Sequence, residues 1–267
     1  SMTDAIALSA ALADTAELRR QIESLHAAHP ERREIFGVLA AHIARSPWGL
    51  AQDYTRFADQ GAFLAPPSIL ERYFFYNDDD GIESYQSFLA EYRNDPAWSI
   101  ETHDDYIRIV SKGLTRAIEI LANRPERDGQ AEISRLLDER HRSPDIFVHR
   151  AHDVHVEESL RYLNPDAKLI YLGSCGGLEV TATALSKARE AQILATSGIG
   201  MTHINDPILK ALNSELLRTT GPVDWSKFWK SMESRVGGQA AFHDYVPPDK
   251  NIPARLMGAY WRALTSE

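Results

Sequence analysis

Five short apolar runs, each ending in a polar or glycine-bearing cluster, constrain this chain more than any other feature. They lie near residues 71–76, 117–122, 145–149, 168–172 and 191–196, with amphipathic stretches of helical spacing between most of them. A run of this length reads as a strand buried on both faces. Strands alternating with helices predict an α/β unit on a mostly parallel sheet. The clusters that follow the runs are Asp78–Asp80, Asn123-Arg124, His149–His155, Ser174-Cys175 and Thr196–Gly200. In an open parallel sheet the ligand crevice lies outside the carboxyl ends of the strands, so these clusters are expected on one edge.

Around the runs the pattern predicts further elements. Residues 3–62 read as helical, with segments over Ala5–Ala28, Glu31–Ala44 and Leu50–Ala58, and Ala65-Pro66-Pro67 marks a boundary. This gives a helical N-terminal extension, 1–65, and an α/β domain, 66–267. Within the domain, helices are expected at Ile82–Tyr92, Gln130–Arg140, Glu179–Ala188, Ile208–Arg218, Trp225–Arg235 and Ile252–Leu264. Asp206-Pro207 and Asp224 have the character of helix starts. Trp98–Glu101 and Tyr106–Ser111 alternate as a hairpin would, and Gly237–Asn251 reads as loop. Trp225, Phe228 and Trp229 sit at helical spacing and are expected in the core or a lid.

Charge narrows the function classes. The chain of 267 residues carries a formal net charge of −9, which disfavours non-specific contact with nucleic acid or an anionic membrane. No apolar run approaches the ~20 residues of a membrane span. The first residues lack the basic stretch of a secretory signal, and one cysteine forms no intrachain disulfide, so a reducing cytoplasm is the expected location. No cofactor is expected.

That cysteine, Cys175, stands between Gly173-Ser174 and Gly176-Gly177, where a strand opens into a turn. Such a turn lets a ligand approach the backbone closely, and a helix start beneath the sulfur would favour thiolate. The preceding apolar run delivers His149, His152 and His155. A thiol and an imidazole from two successive strand ends are the parts of a cysteine nucleophile site, with the imidazole as proton shuttle. His-x-x-His spacing also suits zinc, but no second cysteine or evident carboxylate completes a ligand set, and no metal is expected. Asp78–Asp80 reads as a solvated turn, a wall selecting basic side chains, or an oxygen-ligand cation site.

The pieces Asp145–His152 (DIFVHRAH) and Lys168–Gly177 (KLIYLGSCGG) resemble the clan CD cysteine peptidases, the group of caspases, legumains, gingipains, clostripains and separases. Cys175 follows His149 by 26 residues and His152 by 23, room for one crossover helix between neighbouring strands. Ala195–Gly200 (ATSGIG) resembles the strand that lines the S1 pocket in that group. The resemblance covers residues 71–200 at most. It implies a caspase-like sheet and a cysteine endopeptidase acting on a peptide or protein substrate. Cys175 would be the nucleophile and His152 or His149 its partner. Asp79, Asp80, Arg150, Ser174, Gly176, Thr196, Ser197 and Gly198 would line the substrate site. The group usually places glycine directly after its catalytic histidine, whereas here Arg150 follows His149 and Asp153 follows His152. The choice between the two therefore stays open, and so does a catalytically silent binding module. The small-residue turn at Arg150-Ala151 favours His152.

Gly173–Gly177 also resembles the Gly-x-Cys-x-Gly nucleophile elbow of class I glutamine amidotransferases and of thiol members of the α/β-hydrolase type. There the partner histidine comes after the nucleophile, which makes His203 or His243 the candidate.

Overall fold

The apolar runs lie side by side because each is sealed on both faces, which leaves its amides and carbonyls no partner but a neighbouring strand. The computed structural model describes residues 20, 55–57, 68–112, 117–127, 129–218, 221–251, 253–255 and 257–258. The chain divides into two units, 1–54 with 252–267, and 55–251. Most of the helical stretch expected over residues 3–62 lies outside the described residues, as does most of the closing helix, of which 253–255 and 257–258 are helical.

In the larger unit the described order is β1 (Arg56–Phe57), β2 (Ser68–Phe74), α1 (Asp79–Arg93), β3 (Trp98–Thr102), β4 (Tyr106–Ser111), β5 (Ala117–Asn123), α2 (Gly129–Glu139) and β6 (Ile146–His149). After it come α3 (Val156–Leu160), β7 (Leu169–Leu172), α4 (Thr181–Lys187), β8 (Gln192–Thr196), α5 (Thr202–Arg218), β9 (Val223–Asp224), α6 (Trp225–Val236) and β10 (Tyr245–Val246). Eight strands form one mixed sheet in the order β10-β8-β7-β6-β2-β5-β4-β3. Its inner pairs β8-β7, β7-β6, β6-β2 and β2-β5 are parallel, and the flanking β10-β8, β5-β4 and β4-β3 are antiparallel. The five apolar runs are the parallel strands.

Alternation along β2 sorts the two faces. Ile69, Tyr73 and Phe75 join the large core with Tyr85 and Phe88 of α1, Ile208 and Leu212 of α5, and Trp225 of α6. Leu70 faces the other way, with Leu121 and with Ile133 and Leu137 of α2. Phe74 meets the ring of Tyr162, just after α3, at 5.8 Å. The connection leaving β2 thus packs on one face, and the one leaving its neighbour β6 packs on the other. Such a divergence opens a crevice at the carboxyl ends of the strands.

Four expectations are corrected. Arg56 and Phe57 belong not to a helix but to β1, paired with β9, because buried Phe57 stacks on Trp225 with ring centroids 5.7 Å apart. The helix after Cys175 is interrupted: a 3₁₀ turn, Gly177–Val180, precedes the seven-residue α4, too short for the dipole expected beneath the sulfur. Helix α5 starts at Thr202, not at Asp206-Pro207, and takes Pro207 into its interior. Its first turn is already closed by the Asn205 amide donating to the Met201 carbonyl at 2.8 Å. Pro207 only removes the donor for the His203 carbonyl. Asp224 does cap α6, accepting from the Lys227 amide at 3.0 Å. The expected loop over 237–251 supplies β10.

Candidate active site

Four strand ends meet at a cavity of about 210 Å³. After β2 come Asp80, Glu83 and Ser84; after β6, Arg150, Ala151 and His152; after β7, Gly173, Ser174 and Cys175; after β8, the stretch Ile199–Thr202 and Asn205. The volume suits one amino-acid side chain rather than a drug-sized ligand.

The cysteine turn is built by packing. The Gly173 amide extends the β6–β7 ladder, donating to the His149 carbonyl at 3.1 Å, and its own carbonyl accepts from Nδ2 of buried Asn205, also at 3.1 Å. Tyr171 fixes that amide by donating to Asn205 Oδ1 at 2.8 Å. Thr196 Oγ1 donates to the Ser174 carbonyl and accepts from the Gly177 amide at 3.2 Å. Gly176 adopts the left-handed region, φ 62°, and donates to the Gly198 carbonyl at 2.8 Å. Only glycine takes that conformation without steric cost. Cys175 is left half-buried at the cavity wall.

The opposite wall hangs on the antiparallel edge. The Ser197 amide donates to the Asp244 carbonyl at 2.7 Å, and the Met201 amide to the Tyr245 hydroxyl at 2.8 Å. Gly200 passes so close to the cysteine turn that a Cβ there would stand 2.0 Å from the Gly173 carbonyl oxygen.

The three histidines go three ways. His149 is fully buried: Nδ1 lies 2.9 Å from Ser159 Oγ and Nε2 donates to the His152 carbonyl at 3.1 Å. Since a carbonyl only accepts, Nε2 carries the proton, and Ser159 in turn is 2.8 Å from the Tyr76 hydroxyl. Burial holds the His149 pKa down at about 4. His155 stacks flat on Tyr76 at 4.2 Å and bonds Asp78 at 2.8 Å. His152 alone reaches the cavity. Its Nδ1 lies 3.2 Å from Asp153 Oδ1 and its Nε2 2.9 Å from Asp80 Oδ2. The hydrogen bond its ring donates to Asp153, with the negative charges of Asp80 and Asp153 and of Asp78 nearby, raises its pKa. Among the described residues no three histidine, cysteine or carboxylate side chains gather as metal ligands.

Arg150 forms the cavity floor, buried and paired with Asp206 of α5, whose other carboxylate oxygen accepts from Ser87 of α1. Arg150 Nη2 and Ser174 Oγ are buried without a hydrogen-bond partner among the described residues.

The cavity thus brings together Cys175, His152, Asp80, Arg150 and Ser174 of the residues the sequence suggested. Asp79 is exposed on the first turn of α1, and Gly176, Thr196, Ser197 and Gly198 shape the walls from behind or outside without lining the cavity. His149 lies beneath the histidine loop, not in the cavity. His203 is exposed outside it, and His243 lines a different depression beside Trp229. Glu83, Asn205 and the Asp153 and Asp206 carboxylates were not suggested by any motif. The neighbouring pair Asn205-Asp206, polar residues on an otherwise apolar helix face, was the available signal.

Val154 of the histidine loop and Ile199 of the β8 loop are the exposed large hydrophobic side chains among the described residues, and Ile199 lines the cavity. No described helix is long and apolar enough to cross a membrane. Neither a protein-family model nor a curated protein matches the chain.

Proposed function

We propose that this protein is a cysteine hydrolase of the caspase-like, clan CD type, cleaving peptide bonds with Cys175 as nucleophile and His152 as proton carrier. One observation carries the reading: the thiol and the imidazole line one cavity from the ends of adjacent parallel strands joined by a crossover helix. In this scheme the Cys175 proton passes to His152 and the sulfur attacks the scissile carbonyl carbon. The imidazolium then protonates the departing amine as the C–N bond breaks, and water releases the acyl group from sulfur. The Cys175 amide and an amide of the histidine loop would hold the oxyanion. Exposed Val154 and Ile199 offer apolar contact to residues flanking the cleaved bond.

The elbow alternative has less support. Its downstream histidines stay out of the cavity, and Cys175 lacks a positive φ, so the turn is not strained at the nucleophile. The silent-module alternative is favoured by one observation: both ring nitrogens of His152 face carboxylates rather than the thiol.

Incubating the chain with a peptide library, beside Cys175→Ala and His152→Ala, tests the proposal. Cleavage by the wild type that both substitutions remove is the expected result. Cleavage that survives Cys175→Ala would overturn it, and no cleavage, with Cys175 alkylated no faster than a free thiol, would leave the binding module.

A further inference from the structure

We infer that two carboxylates act on His152 in opposite senses: Asp153 positions the ring through Nδ1 for proton transfer, while Asp80 engages Nε2 as a latch that a substrate must displace. The inference rests on the proposed Cys175–His152 chemistry and adds how that site is held before substrate arrives.

The two contacts differ in how they are built. Asp153 follows His152 in the chain, and its Oδ1 also accepts from the Val154 amide at 3.0 Å, so the carboxylate moves with the loop. Asp80 belongs to the first turn of α1, another element, and meets the ring only as an ion-pair contact, Oδ2 to Nε2 at 2.9 Å. A ring nitrogen anchored from its own loop fixes ring orientation and tautomer, the role of the orienting acid in nucleophile–base pairs. A ring nitrogen held from the far wall is withheld from the sulfur. With Nδ1 occupied by Asp153, Nε2 is the atom left for the thiol or the leaving amine, and in this state Asp80 has it.

Carboxylates 3.2 Å from Nδ1 and 2.9 Å from Nε2 favour the charged ring, and an imidazolium takes no proton from Cys175. The groups facing it are Asp80 and Glu83 from α1, Asp78 just before that helix, Asp153 from its own loop and Cys175 from the β7 turn. Arg150, the nearby cation, is neutralised by Asp206. His152, Asp80 and Asp153 are each about half open to water, at 46%, 65% and 56%. Exposed pairs of this kind are weak, so the latch opens readily to a peptide group that hydrogen-bonds Asp80, and with that carboxylate gone the Nε2 proton passes to water and leaves the neutral ring as base.

The test uses the full chain with labelled histidine, following the His152 ring by NMR across pH and Cys175 alkylation by iodoacetamide in parallel. In Asp153→Asn the His152 pKa falls and alkylation slows by about two- to fivefold, with Asp153→Glu restoring both. In Asp80→Asn the pKa also falls, but alkylation at neutral pH speeds up by about two- to fivefold. Opposite rate changes from two variants that move the same pKa one way are not the mark of a structural role. Slower or unchanged alkylation in Asp80→Asn, or a His152 titration that neither variant moves, overturns the latch. His152→Ala separates the two levels. If it alkylates as fast as wild type, the Cys175–His152 reading fails and the latch with it; if it is slow while Asp80→Asn is not fast, the latch alone fails.

Discussion

Arg150, one residue past β6, and Asp206, inside α5, form an ion pair from which water is excluded, their side chains 1% and 3% exposed. The pair ties the histidine loop to the helix that carries Asn205, and through Asn205 to the cysteine turn. Removing one member strands the other charge. Arg150→Met is expected to cost about 3–5 kcal/mol, whereas Arg150→Met with Asp206→Leu recovers most of it. Urea unfolding followed by tryptophan fluorescence measures both. A single variant within about 1 kcal/mol of wild type would mean that the pair is not closed in solution.

His149 sets a pH dependence. Its folded pKa of about 4 lies below the ordinary value of 6.5, so between these values the unfolded chain binds the extra proton. Its contribution to stability is complete above pH 6.5 and is lost as pH falls through 4, amounting to about 3 kcal/mol. His149→Asn, which still offers a donor to the His152 carbonyl, should flatten stability over that interval. Persistence of the slope in the variant would assign it to another group.

Glu71 of β2 runs the other way. Burial outweighs its hydrogen bond from Asn213 and raises its pKa from 4.5 to about 7. Here the folded chain holds the extra proton, so the contribution is complete below pH 4.5 and lost as pH rises through 7, again about 3 kcal/mol. Between pH 4.5 and 6.5 the two slopes oppose each other. Glu71→Gln is therefore expected to make stability rise with pH where the wild type is nearly level, as denaturation at pH 5 and pH 6.5 would show.

The two glycines of the site should differ in cost. At Gly176 a Cβ meets only the Glu179 side chain at 3.6 Å, so Gly176→Ala bears the left-handed backbone alone, about 1–2 kcal/mol. At Gly200 the obstacle is backbone, the Gly173 carbonyl, which cannot turn aside. Gly200→Ala should cost about 3 kcal/mol. Thermal unfolding ranks them, and the reverse order would mean that the β8 loop yields freely.

The parallel sheet was legible because both-face burial leaves unbroken apolar runs such as Ile146–Val148 and Leu169–Leu172, and the polar clusters after them did gather at one edge. The same both-face burial hid the choice of histidine. In a strand with every residue buried, His149 gives no alternation to say that it points inward. Asp206 misled for a different reason. Aspartate before proline has the local form of a helix cap, while its actual partner, Arg150, is 56 residues away in the chain. Phe57 reads as a helix residue because Trp225, the ring that makes it a strand residue, follows so much later in the chain. Local pattern carries elements; it does not carry partners.

The anchoring of the β8 loop on Asp244 and Tyr245 has a consequence in time. Chains fold as they emerge from the ribosome, and Cys175 emerges 70 residues ahead of Tyr245. Over that interval its turn can form against β6 and α5, but the wall holding Ile199 and Met201 still lacks its bonds to Asp244 and Tyr245. A growing chain therefore displays the thiol before the cavity beside it is complete. On the proposed chemistry, order of synthesis would act as a safeguard, with the antiparallel edge strand as its release.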